Sequence, residues 1–92
     1  MRLTPCTVDG PWPFERVIFT RVRDEDRRPT EWIEIVGEHP DGARSVKVLY
    51  DRLWEQMDSH MQWHHGKALT EPHTYDELRH AATRAAVAFL MD

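Results

Sequence analysis

Histidine gives this chain its most chemical stretch. In "SHMQWHHGK", residues 59–67, His60 and His64 stand four apart and His65 follows directly. Imidazoles at i and i+4 share one face of a helix and can hold a zinc ion together. His73 and His80 are the candidates for further ligands. Yet Met61 stands where a zinc-protease helix would carry its glutamate base, and no cysteine pair or carboxylate stands at a ligand spacing. The competing expectation is a pair of semi-buried histidines near a helix C-terminus, where the terminal carbonyls favour a charged ring.

Other residue types with chemical potential give weaker patterns. Cys6 is the only cysteine, so the chain forms no internal disulfide and no cysteine-based zinc site without a second chain. The glycines, at 10, 37, 42 and 66, are too dispersed for a phosphate-binding loop. Ser45 and Ser59, the only serines, sit in no nucleophile-elbow pattern. Glu31 with Glu34, or Asp24 to Asp26, could pair as acid and base, but without a pocket they read as surface charge. The expectation is a protein with no catalytic residue and no cofactor.

Proline and periodicity define the elements that would position these groups. Residues 1–13 carry Pro5, Pro11, Pro13 and Gly10 and read as an extended arm, with Trp12 as an anchor. Residues 14–92 then form one domain. "FERVIFTRVR" (14–23) is a strand of β-branched and aromatic residues, with Phe14, Ile18 and Val22 on one face and Val17 and Phe19 on the other. "EWIEIVG" (31–37) and "ARSVKVLY" (43–50) are two more, joined as a hairpin by the turn-forming residues 38–42. Arginine-rich "RVRDEDRRP" is neutralised by its own acids and reads as a solvated turn.

The period then changes to that of a helix, from about residue 50 to 65. Leu49, Tyr50, Leu53, Trp54, Met57 and Met61 cover an arc of about 140° on a wheel of 3.6 residues per turn. His60 and His64 fall inside this stripe, flanking Leu53, and His65 falls at its edge beside Trp54. Trp63 falls outside it, and Arg52, Glu55, Ser59 and Gln62 lie opposite. Gly66 is placed as the helix stop. "TYDE" (74–77) has the spacing of a capping box and opens a second helix, to about residue 90. There Leu78, Ala81, Ala82, Ala85, Ala88 and Phe89 form one stripe. Val87, Leu90 and Met91 fall on the side of His80, Thr83 and Arg84. They need a cover, from the arm or from a second copy of the chain, which makes them candidate dimer contacts. The fold class is α+β: a three-stranded antiparallel sheet followed by two helices packed on one face (β-β-β-α-α).

Charge and composition narrow the function classes. The chain has 92 residues, 12 basic and 16 acidic, for a net charge of −4. The first fifty residues carry 8 basic and 9 acidic groups and the rest 4 and 7, so the excess of acid lies in the second half. Such a chain does not gain the counterion release that drives nucleic-acid binding. No apolar run is long enough for a membrane span or a signal peptide, so a cytoplasmic location is expected. The leading expectation is a small acidic protein-binding module that acts stoichiometrically, as an inhibitor or adaptor. Proteins of this kind occur in phages and mobile elements, and its partner would present a basic surface, such as that of a nucleic-acid-binding machine. The partner-binding set is Trp63, Arg52, Glu55, Asp51 and Asp58. The alternative is a histidine-centred metal-binding protein or small hydrolase using His60 and His64.

Overall fold

The computed structural model describes residues 2–3 and 13–91. Its elements, in chain order, are β1 (Arg2–Leu3), β2 (Arg16–Arg23), β3 (Pro29–His39), β4 (Gly42–Leu49), α1 (Tyr50–His65) and α2 (Tyr75–Met91). The three long strands form an antiparallel meander and the two helices follow, which is the expected α+β order. The two-residue β1 is an addition: Arg2 and Leu3 pair with Ile18 and Val17 and make β2 an inner strand. So short a segment pairs by backbone alone and leaves no hydrophobic alternation to read. Most of the expected arm, with Cys6 and the anchor Trp12, lies outside the described residues.

Alternation decides which sheet face is buried. Val17 and Phe19 of β2, Ile33 and Ile35 of β3 and Val48 of β4 form one core cluster. They meet across the sheet through the pairs Val17–Gly37, Phe19–Ile35 and Ile33–Val48. Both helices pack on this face: Leu53 of α1 and Ala82, Ala85, Ala86 and Leu90 of α2 complete the cluster. Removing a buried branched side chain such as Ile35 typically costs about 2–5 kcal/mol. On the opposite face Ile18, Val22 and Val36 are only half-buried. Phe14, expected with Ile18, instead enters the core, because it precedes the strand and escapes its alternation.

Local chemistry fixes the turns. Between β2 and β3 the Asp24 carboxylate accepts the backbone N–H groups of Asp26 and Arg28, each at 2.9 Å. Arg27 takes the left-handed conformation (φ 62°), and its carbonyl accepts from the Arg23 guanidinium at 2.8 Å. Pairing of His39 with Gly42 leaves Pro40 and Asp41 as the hairpin loop, shorter than the 38–42 turn read from sequence. β4 runs into α1 with no linker, since Leu49 is still extended (φ −67°, ψ 141°) and Tyr50 is helical. At the other end Gly66 (φ 67°) closes α1, donating its N–H to the Gln62 carbonyl at 3.0 Å.

The C-terminal turn of α2 differs from the expected arrangement. Leu90 does not face outward with Met91; it is 3% exposed and packs into the core. Val87 is half-buried against the same cluster, and of the three only Met91 is exposed. The cover comes from within the chain. At Gly37 the sheet has a notch, filled by Phe14 and Leu90. A Cβ added there would stand 2.6 Å from Phe14 Cδ1 and 2.8 Å from Leu90 Cδ1. Leu90 is therefore not available as a dimer contact. Gly37→Ala should destabilise the protein by about 1–3 kcal/mol, because the added methyl group overpacks two side chains already buried in the core. Urea unfolding of the two proteins measures this directly.

Candidate functional site

The direct passage from β4 into α1 sets Tyr50 and Trp54 at one end of the sheet, one helical turn apart. Leu53 and Met57, on the adjoining stripe, turn toward the sheet. The connection after α1 returns across this end with Leu69 and His73, and α2 adds Leu78 and the small Ala82. Together with Phe19 and Ile33 beneath, these side chains line a cavity of ≈ 360 Å³. That volume lies within the range of small-ligand pockets, and the lining is apolar apart from His73 and the Tyr50 hydroxyl. Its rim carries two aromatics held partly in water, Tyr50 at 43% and Trp54 at 41% exposure. The Arg21 guanidinium carbon stands 4.9 Å from the Tyr50 ring centre, a cation–π contact that steadies the rim.

Polar contacts hold the connection in place over this cavity. Asp58 accepts the Leu69 backbone N–H at 2.8 Å through one carboxylate oxygen and Gln62 at 2.8 Å through the other. The Glu71 carboxylate accepts the N–H of Ala68. Lys67 bridges to Glu77 on α2 at 3.0 Å. Glu77 also closes the capping box read from the sequence: it accepts the Thr74 N–H at 2.9 Å, and the Thr74 hydroxyl accepts the Glu77 N–H at 3.1 Å.

The histidines gather elsewhere along the helix pair. His60 and His64 are half-buried, in line with their place in the apolar stripe. Their rings lie nearly parallel, 6.0 Å apart and 18° from coplanar. His80 departs from its expected place on the open side of α2 and is 5% exposed. α2 is covered on two sides, by the sheet and by α1, so its buried arc is wider than one stripe. The His80 ring meets His64 at 4.9 Å and His65 at 5.1 Å between centres, and its Nδ1 lies 3.0 Å from His65 Nε2. Among the described residues no group of three or more His, Cys, Asp or Glu is placed to hold a metal ion. Burial first, and then Arg84, His64 and His80, push the His60 pKa below its ordinary value.

The expected partner-binding residues separate into three situations. Trp63 is 84% exposed, and Arg52, Glu55 and Asp51 are exposed with it along α1. Asp51 stands beside Tyr50, in a shallow recess with Arg21 and Glu31, while Glu55, Arg52 and Trp63 lie off the apolar stripe of α1 that carries the rim. Asp58 is engaged at home, as a clamp on Leu69 and Gln62. The cavity was not legible in the sequence. Its lining comes from two strands, two helices and a connection, and only the apolar positions Tyr50 and Trp54 at the helix start hinted at it. Among the described residues no helix is long and apolar enough to cross a membrane. No protein-family model, no curated protein and no solved structure matches this chain.

Glu77 carries a measurable signature. Its pKa falls from the ordinary 4.5 to about 2, chiefly through the Thr74 N–H and then through Lys67. Its contribution to stability is therefore complete above pH 4.5 and is lost as pH falls toward 2. Glu77→Gln should lower stability at neutral pH and flatten the acid limb in that window. Unfolding curves across the acid range read both effects.

Proposed function

We propose that this chain is a small protein-binding module that acts stoichiometrically, as an inhibitor or adaptor, through the apolar cavity at the start of α1. The observation that carries the reading is that cavity: apolar-lined, of a size to take one bulky side chain, and rimmed by two part-exposed aromatics. Buried apolar anchors surrounded by tyrosine and tryptophan are the usual source of binding energy between proteins. Asp51 and Glu31 beside Tyr50, with Glu55 further round α1, favour a partner segment with lysine or arginine next to its anchor. Such a segment fits the basic surface of a nucleic-acid-binding machine, the kind of target that small acidic proteins of phages and mobile elements block. On this reading Trp63 and Arg52 extend the contact around α1.

Selection of peptides from a random display library tests the reading. Enriched peptides should share one bulky apolar residue with a basic neighbour and bind one to one by calorimetry. They should shift the backbone and indole resonances of Tyr50 and Trp54. Trp54→Ala should weaken them at least about tenfold, measured under conditions where the variant is folded, since the ring is more than half buried and its loss also lowers stability. Selected peptides that bind Trp54→Ala and Tyr50→Ala with full affinity would sink the proposal.

A further inference from the structure

The order β1-β2-β3-β4 leaves β4 at the edge of the sheet. Its inner side pairs with β3 from Gly42 to Leu49 with no shift of register. Among the described residues no strand pairs with its outer side. The strand is eight residues long and free of proline, so this side presents a regular row of backbone N–H and C=O groups. At such an edge an extended segment of another chain adds to a sheet.

The side chains of β4 decide which segment fits. The chain as a whole has a net charge of −4, yet β4 carries Arg44 and Lys47 and no acid. Both are exposed, and among the described residues neither forms an ion pair. Alternation sets them on opposite faces. Arg44 shares the helix-covered face with Val46 and Val48, and its Nη1 lies 3.9 Å from the Met91 sulfur. Lys47 stands on the open face. Two β4 strands paired with each other would put two cations from each copy into one short ladder, so the edge resists a second copy. The same charges attract a strand with acids at the facing positions. β3 shows the pairing already made on the inner side, where Glu34 faces Lys47 and Ile35 faces Val46. Val46 is half-buried, and an apolar residue on the outer side would complete its cover.

We infer that the outer edge of β4 is a docking site for an acidic extended segment of another protein, which joins the sheet as a further strand. In antiparallel register the segment reads acid, apolar, any residue, acid, opposite Lys47, Val46, Ser45 and Arg44 in turn. Backbone hydrogen bonds hold the strand, and the two acids and the apolar residue select it. Acids elsewhere on the chain oppose it little, because salt screens exposed charges beyond about 8–10 Å. The site is separate from the cavity and does not depend on what the cavity binds.

Two labelled peptides of the length of β4 test it: one with glutamate at both acid positions and valine at the apolar one, the other with lysine in place of each glutamate. The glutamate peptide should bind saturably, at least about tenfold tighter than the lysine peptide at low salt, and weaken as salt is raised. It should shift the β4 amides and slow their exchange with solvent, and leave the resonances of Trp54 in place. Arg44→Gln combined with Lys47→Gln should erase the difference between the peptides, while Trp54→Ala leaves it intact. Both replaced side chains are exposed, so the double variant should keep its fold, checked by circular dichroism. Failure of the glutamate peptide to bind, equal binding of the lysine peptide, or shifts confined to the cavity rim overturns the site. So does a concentration-dependent dimer in which the β4 amides become protected.

Discussion

The junction at Leu49–Tyr50 constrains the rest of the structure. A strand that continues into a helix without a linker leaves α1 almost no choice of direction. It must cross the sheet on the face that Val48 already buries, and its first turn must stand at the sheet end. The absence of a side-chain cap at Leu49 fits this origin, because the sheet rather than a capping hydroxyl sets the chain direction. From that start the apolar stripe of α1 divides by height. Leu53 joins the main core, Met61 joins Leu69 and Ala81, and Met57 touches both clusters. The cavity opens between these two clusters, where neither fills the space above Phe19 and Ile33.

α2 answers the same constraint by being thin. Ala81, Ala82, Ala85 and Ala86 are all essentially closed to water, and they let the helix lie against α1 and the sheet at once. Contact on two sides explains how a polar ring came to be buried: His80 occupies the seam to α1, with its Nδ1 in a hydrogen bond to His65 there. Thr83, fully closed to water, follows it on the next turn. A helix built from larger residues would have kept one buried face and left the His80 position in solvent.

Local rules were enough to read much of this from sequence. Alternation put Val17 and Phe19 on one strand face, the change of period placed α1, and Gly66 and the Thr74–Glu77 box placed its end and the next beginning. These features depend on neighbours within four residues. Leu90 and His80 were misplaced because their surroundings come from far along the chain: Phe14 and Gly37 for one, α1 for the other. The cavity is the extreme case, since none of its walls is complete on a single element. Asp58 looked like free surface charge for a similar reason, its partner Leu69 lying in the connection beyond the helix end.

The order of strands in the sheet is also their order in the chain, β1-β2-β3-β4, and the helices follow as a hairpin. Pairing of β2 with β3 and β3 with β4, and of α1 with α2, therefore joins each segment to the one just before it, at little entropy cost per closure. The docking of α2 on the sheet is the long-range step, and the notch at Gly37 is its far end. Seating Leu90 beside Phe14 brings the end of α2 back to the residues that precede β2. That contact spans the longest stretch of chain in the core, from Phe14 to Leu90. It is the latch by which a chain of local parts becomes one cooperative unit.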